Sequence, residues 1–247
     1  METEGATAES DRGLWYHVRW SVVNQYWRFS LLPVAAVTLG MAVAKASHGL
    51  AWDWVRWGLA AASFLVADLG MKSLDLSAPD VNIAVDARVQ SVVGAAMIGV
   101  GVLLGVVIAE WTTRLYYVVV VLGVFLGLAY SLEWFDGRLH DREYVTGWGN
   151  LGFVLGWLST VAGYMALSGT VSPGIALFGL GPLVSFGTMA WVTQDMKDAV
   201  YEGVGIEHDR ELEHDYDRLK RRELQGQWYR VLGFVAMAAG LVVEFVA

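Results

Sequence analysis

The sequence contains no cysteine among its 247 residues. A chain without cysteine has no disulfide framework, no thiolate nucleophile and no metal site that is built on thiolate ligands.

Charge is missing from several long stretches of the chain. Hydrophobic residues make up 55% of the sequence, and the mean hydropathy is +0.44. One membrane crossing by a helix needs about 20 predominantly apolar residues. Three uncharged stretches meet this length, and the last of them is long enough for two crossings joined at residues 168–173: Val89–Ala109, Leu115–Leu132 and Tyr144–Gln194. Shorter apolar runs at Phe29–Ala44, Leu50–Gly70 and Val231–Val243 complete a prediction of about seven spans. The predicted fold class is all-α, a polytopic bundle of transmembrane helices.

Lysine and arginine are scarce on one side of the predicted spans. Of the 17 such residues in the chain, that side receives only Lys45, Arg56 and Arg114. Because cytoplasmic loops of membrane proteins are enriched in Lys and Arg, we expect the other side to face the cytoplasm. This orientation places the N-terminus inside and the C-terminus outside.

The N-terminus lacks the basic start, short apolar core and cleavage site of a signal peptide. Residues 1–28 are predicted to form a loose tail followed by an aromatic, amphipathic interfacial helix. Residues 29–247 are predicted to form the transmembrane domain. Its cytoplasmic loops are expected at residues 71–88, 133–146 and 194–229.

Two apolar segments end in acidic residues with matching spacing. Both sets follow the i, i+3, i+7 pattern that places side chains on one face of a helix, although the first set has methionine at its middle position. The sets are Asp68, Met71 and Asp75, and Asp195, Asp198 and Glu202. Ionisable residues at the edge of a membrane span are costly, so two sets at matching depth indicate a shared polar site.

Carboxylates on two helices are hard oxygen ligands of the kind that magnesium prefers, and magnesium is usually completed by water and substrate phosphate. Basic residues of the neighbouring loops are candidates to neutralise a phosphate or diphosphate: Lys72, Arg88, Arg138, Arg142 and Lys197. The remainder of such a substrate would have to be lipid-like to enter between helices. We expect no nucleic-acid partner.

Four segments, in family order, resemble motifs of the UbiA superfamily of intramembrane prenyltransferases. The first is Tyr26–Pro33 with Gly40, which is similar to the family's opening helix with its Arg and Leu-Leu-Pro, and the second is Ala67–Asp75, which is similar to Asn-Asp-x-x-Asp-x-x-x-Asp. The third is Tyr130-Ser131 with Arg138, Arg142 and Gly147–Asn150. The fourth is Lys197–Gly205, which is similar to Arg-Asp-x-x-x-Asp. Order along the chain adds weight to motifs that are individually weak.

The resemblance implies a magnesium-dependent transfer of an isoprenoid chain from a prenyl diphosphate to a lipophilic acceptor. The residues implied as catalytic metal ligands are Asp68, Asp75, Asp195, Asp198 and Glu202. The residues implied in substrate binding are Lys72, Lys197, Arg138 and Arg142 for the diphosphate, and Tyr130 and Asn24 near the acceptor or prenyl cleft.

The sequence also departs from the family pattern. Ala67 and Met71 replace an Asn and an Asp of the first motif, Asn150 stands where a Glu is expected, and Glu202 replaces an Asp. The family has nine spans rather than seven. Methionine is a poor magnesium ligand, whereas Glu202 retains a carboxylate.

Three alternatives follow from the same residues. Asp68 and Lys72 are four residues apart and can form a local helix salt bridge in place of a ligand site. A noncatalytic prenyl-lipid binder or transporter on the same scaffold would keep the acidic residues without the chemistry. A retinal photoreceptor is excluded, because the last predicted span, within Trp228–Ala247, has no lysine for a Schiff base.

Overall fold

The computed structural model describes residues 30–75, 87–132, 134–135 and 152–203, together with residues 232, 236–237, 239–241 and 243–245 near the C-terminus. For residues 189–203 only the helical backbone is described. These parts of the chain are helical, and no strand occurs among them.

The main helices follow one another in antiparallel order. They are α1 (Leu31–His48), α2 (Trp54–Asp75), α3 (Ala87–Trp111), α4 (Tyr116–Ser131), a π-helical stretch (Gly152–Leu158) that continues into α5 (Ser159–Ser168), and α6 (Pro173–Gly203). The described residues between 232 and 245 are also helical, and we call them the C-terminal helical segment.

Two helix ends differ from the loops that the sequence predicts. Helix α2 continues through Asp75, so the first five residues of the predicted 71–88 loop are helical. Helix α6 continues through Gly203, so the first ten residues of the predicted 194–229 loop are helical too. In both places the acidic residues keep a helical spacing beyond the end of the apolar stretch. Polar side chains with this spacing are compatible with a helix, so the helix continues past its apolar part.

Short turns connect the helices at one end of the bundle. Helix α1 ends at Gly49, which has a φ of 64° and donates its N–H to the Lys45 carbonyl. Helix α5 ends in the same way at Gly169, with a φ of 72°. Glycine suits both positions because the left-handed region strains residues that carry a Cβ atom. The α2 helix begins after Asp53, whose Oδ1 accepts the N–H groups of Val55 and Arg56 at 3.0 Å each.

Glycines allow the helix backbones to approach closely. A Cβ atom added to Gly70 of α2 would lie 2.8 Å from the carbonyl oxygen of Gly94 in α3, and one added to Gly94 would lie equally close to the carbonyl oxygen of Gly70. Gly101 of α3 faces Ala67 and Ser63 of α2 in the same manner. Small residues at contacts of this kind are typical of helix pairs in membranes.

The core consists of two apolar clusters. One cluster contains residues from each of the helices α1 to α5 and from the π-helical stretch, including Val37, Ile108, Tyr116 and Leu158. The other surrounds Tyr164 at the end where α1 finishes. Outside the core, α3 and α4 expose large apolar side chains: Val92, Val100, Leu103, Val107, Val118, Val121 and Phe125. An apolar surface of this extent requires a lipid or protein neighbour.

Two of the described helices, α1 and α3, are long and apolar enough to cross a membrane, judged by length and composition. Three further apolar stretches are shorter, at Tyr116–Ser131, Gly152–Ser168 and Pro173–Thr188. The all-α prediction is confirmed, and the seven-span arrangement and its orientation stay predictions.

Candidate functional site

The predicted site residues of α2 lie at the end of the bundle where α1 begins and where α2 and α4 end. We call this the acidic end and define it by Ser30, Asp68, Lys72, Asp75 and Tyr130. The antiparallel order of the helices brings these residues together from three parts of the chain.

A buried ion pair forms the centre of the acidic end. The Lys72 Nζ atom lies 2.6 Å from Oδ2 of Asp68 and 2.7 Å from Oγ of Ser30. The side chains of Asp68 and Lys72 are 8% and 21% exposed. The local salt bridge that the i, i+4 spacing allows is therefore present, and it is extended by a hydroxyl from the start of α1. Burial makes such a pair expensive to break, because a lone charge would remain away from water.

Tyr130 brings helix α4 into the same group. The half-buried Tyr130 lies near enough to the carboxylates of Asp75 and Asp68 to interact with both electrostatically. Asp75 is half-buried at the last position of α2. Two carboxylates, one ammonium and two hydroxyls thus meet at this end of the bundle.

Met71 occupies the face of α2 between Asp68 and Asp75 and packs on α4. A Cβ atom added to Gly127 would lie 2.6 Å from Met71 Cε and 3.0 Å from its Sδ. The face that carries both carboxylates is consequently turned toward α4, one helical turn before Tyr130. A thioether fills the position where the resemblance implies a metal-binding carboxylate.

The second acidic set lies on the last part of α6. This helix starts at the opposite end of the bundle, and residue 195 follows its start by about 33 Å of helical rise. Asp75 follows the start of α2 by about 32 Å on the same reckoning. On this reckoning the backbone of Asp195 lies at about the depth of Asp75, whereas Asp198 and Glu202 lie about 6 Å and about 12 Å farther along the bundle. Their side chains and that of Lys197 lie outside the described part of α6.

The remaining predicted contacts lie outside the described residues. They are Asn24, Arg138 and Arg142. Ser30, by contrast, is a contact that the sequence pattern missed, because nothing in the spacing links it to Lys72 across 42 residues. Its only sequence signal is its place inside the motif at Tyr26–Pro33.

The oxygen chemistry of the acidic end suits magnesium, but the described donors are few. Among the side chains that the structure describes, no group of three or more His, Asp or Glu residues converges on one point. Asp68 and Asp75 are the two carboxylates present there, and one oxygen of Asp68 already accepts a hydrogen bond from Lys72. A magnesium ion held here would need further oxygens from α6 or from a bound phosphate.

Comparison with models of known protein families and with characterised proteins finds no match to this sequence.

Proposed function

We propose that the protein is an integral membrane prenyltransferase, which moves an isoprenoid chain from a prenyl diphosphate to a lipophilic acceptor with magnesium as cofactor. The observation that carries this proposal is the group formed by the buried Asp68 and the half-buried Lys72, Asp75 and Tyr130 at one end of an apolar helical bundle. Ionisable groups in such a position mark functional sites in membrane proteins more often than structural ones.

The apolar surface of α3 and α4 supports the placement of the bundle in a lipid bilayer. In the proposed orientation the acidic end faces the cytoplasm and the C-terminus lies outside. Among the residues that the structure describes, Lys45, Arg56 and Arg114 lie at the opposite end, where α1 ends and where α2 and α4 begin. A cytoplasmic acidic end would give the site access to water-soluble magnesium and to diphosphate headgroups while the prenyl chain stays in the lipid.

We expect Lys72 to be the first residue that contacts a bound diphosphate. Its ammonium group has three donors, and among the described residues two of them bind Asp68 and Ser30. A phosphate oxygen can take the third donor without breaking the ion pair. Bound magnesium would neutralise charge on the diphosphate leaving group. The residues that would hold the magnesium are Asp68, Asp75 and the α6 acids Asp195, Asp198 and Glu202.

Tyr130 is proposed to lie beside the reacting carbon and the acceptor. Tyr130 is half-buried near two carboxylates, a position from which its hydroxyl can orient an acceptor hydroxyl or ring. The apolar walls of the bundle would exclude water from an allylic cation, which would otherwise be hydrolysed. Asn24, Arg138, Arg142 and Lys197 complete the proposed substrate contacts.

The first test is a matched pair of substitutions at the two ends of α2. Purified protein in lipid nanodiscs is incubated with magnesium, radiolabelled geranylgeranyl diphosphate and a membrane lipid extract, and pyrophosphate release is measured. Asp75→Asn should abolish release. Asp53→Asn should leave it unchanged, because asparagine also caps a helix and this position lies at the opposite end. Release that is absent from the parent protein, or equal in both variants, would refute the enzyme proposal.

A second candidate function is noncatalytic binding or transport of a prenyl lipid, and Met71 is the observation that favours it. Its packing on Gly127 closes the space where a third carboxylate would stand. The substitution Met71→Asp separates the two functions. An enzyme should release pyrophosphate faster with the additional oxygen ligand, whereas a binder should lose stability by about 1–3 kcal/mol from the buried carboxylate without any turnover.

Met71→Leu serves as the control because it keeps the volume of the side chain without adding a ligand. It should change neither the rate nor the melting temperature by much. A rate gain in Met71→Leu equal to that in Met71→Asp would show that packing, and not ligation, limits the reaction.

A further inference from the structure

A second polar cluster lies at the end of the bundle opposite to the acidic end. Glu244 of the C-terminal helical segment accepts hydrogen bonds from the hydroxyls of Tyr164 in α5 and Ser172 before α6. Its side chain is only 4% exposed. His48, the last residue of α1, contacts the same Tyr164 hydroxyl at 2.7 Å. This cluster takes no part in the proposed reaction.

The hydrogen-bond directions in the cluster follow from its donors. Ser172 Oγ accepts the N–H of Ile175 at 3.1 Å, so its own proton is available for Glu244. Tyr164 uses its single proton on Glu244, and His48 Nε2 must therefore donate to the Tyr164 oxygen. A chain of donors runs from His48, whose side chain is 40% exposed, to the buried carboxylate. Two hydroxyl donors stabilise the ionised form of that carboxylate.

Close backbone contact holds Glu244 in this place. A Cβ atom added to Gly174 would lie 2.7 Å from the Cβ atom of Glu244 and 2.8 Å from its backbone nitrogen. Gly240, one turn earlier on the same face, lies against α6 near Phe178 and Gly174. The C-terminal helical segment is therefore joined to the bundle where its one described carboxylate is buried.

We propose that His48 is a protonation switch that fastens the C-terminal helical segment to the rest of the bundle through Tyr164 and Glu244. Neutral His48 carries its proton on Nε2, and a second proton from water binds Nδ1. The resulting imidazolium lies 4.0 Å from Glu244 Oε1 and keeps its hydrogen bond to Tyr164. In this step a buried carboxylate that is otherwise bound by neutral hydroxyls gains an opposite charge.

The sign of the pH dependence follows from the charge on His48. Imidazole titrates between about pH 5 and about pH 8, so attachment of the segment is stronger at the acidic limit and weakens as the pH rises. The groups that face His48 are Tyr164 on α5 and Glu244 on the C-terminal segment, with Lys45 one turn earlier on α1. The remaining described charges of α2 at this end, Asp53 and Arg56, form a pair with each other.

The absence of cysteine allows a spin label to be placed at one position without background. Phe245 is 52% exposed and adjoins Glu244, so a label at Phe245→Cys reports the mobility of the C-terminal segment. In lipid nanodiscs we expect the ratio of immobile to mobile label to fall by about threefold between about pH 5 and about pH 8, as for a partly solvated ion pair.

Substitutions in the labelled protein identify the group that titrates. His48→Gln still donates to Tyr164 but cannot be charged, and it should hold the ratio at the parent's high-pH value throughout. Tyr164→Phe should also abolish the pH dependence. Tyr116→Phe is the matched control, because the Tyr116 hydroxyl is buried without a hydrogen-bond partner. A ratio that does not change with pH in the parent, or that still changes in His48→Gln, overturns the proposal.

Melting temperatures give a second measurement that needs no label. The parent should exceed His48→Gln in melting temperature by more at about pH 5 than at about pH 8, because the additional charge pair exists only when His48 is protonated. An equal difference at both pH values overturns the proposal.

Discussion

The two ends of the bundle bury a carboxylate in different ways. At the acidic end Asp68 is compensated by a full positive charge, the Lys72 ammonium at 2.6 Å, within the same helix. At the opposite end Glu244 is compensated mainly by neutral hydroxyls from two other parts of the chain, with His48 able to add a charge. The difference teaches that local and long-range compensation respond to different perturbations. An ion pair fails when either charge is removed, whereas a hydroxyl-bound carboxylate weakens one hydrogen bond at a time.

The largest effect is expected from removal of the ammonium at the acidic end. Lys72→Met should lower the free energy of unfolding by about 3–5 kcal/mol, because Asp68 would remain buried as a lone charge. Thermal melting in detergent measures the loss. The double variant Asp68→Asn with Lys72→Met should recover most of it, and a double variant as unstable as the single one would contradict the ion-pair explanation.

A smaller loss is expected at the opposite end when one hydroxyl is removed. Tyr164→Phe should cost about 1.5–3 kcal/mol, the range for a hydrogen bond to a charged group, since Ser172 still donates to Glu244. The same melting assay applies. If this loss equals or exceeds that of Lys72→Met, the proposed contrast between the two ends is wrong.

The helix cap of α2, at the opposite end, provides a reference for a loss of stability that comes from capping and not from a buried charge. Asp53→Ala removes the acceptor of two backbone N–H groups and should cost about 1 kcal/mol. Asp53→Asn should restore most of the stability because its side-chain oxygen can cap the helix as well. Equal losses in the two variants would show that charge, rather than capping, matters at this position.

The smallest effect concerns the exposed ion pair of Arg56 and Asp53. Their atoms are 3.3 Å apart, and both side chains are about one-third exposed. Arg56→Gln should change stability by less than about 0.5 kcal/mol, because solvent screens such pairs. A loss approaching that of Lys72→Met would mean that burial is not what separates the two pairs.

Much of the helical architecture could be predicted from the sequence. The uncharged stretches indicate the positions of α3 and α4, and the break expected at residues 168–173 falls at the turn around Gly169. The i, i+4 spacing of Asp68 and Lys72 is sufficient to predict their salt bridge as an alternative to a ligand site. The π-helical stretch at Gly152–Leu158 has no comparable signal, because its sequence, GFVLGWL, has no charged or hydroxyl residue whose spacing could reveal a wider helical turn.

The properties that depend on neighbours along one helix follow from the amino-acid order alone. These are the all-helical fold class, the common face of Asp68, Met71 and Asp75, and the lack of thiol chemistry. Helical periodicity is sufficient for each of them, because residues three or four positions apart are adjacent whatever the rest of the chain does.

The pairing of helix faces, by contrast, becomes visible only in the packed bundle. Lys72 reaches Ser30 across 42 residues, Tyr164 reaches Glu244 across 80, and His48 reaches Tyr164 across 116. Periodicity shows which side of a helix is apolar but not which neighbour will cover it. That choice depends on where glycines such as Gly70, Gly94 and Gly174 let two backbones come close enough for short polar side chains to touch.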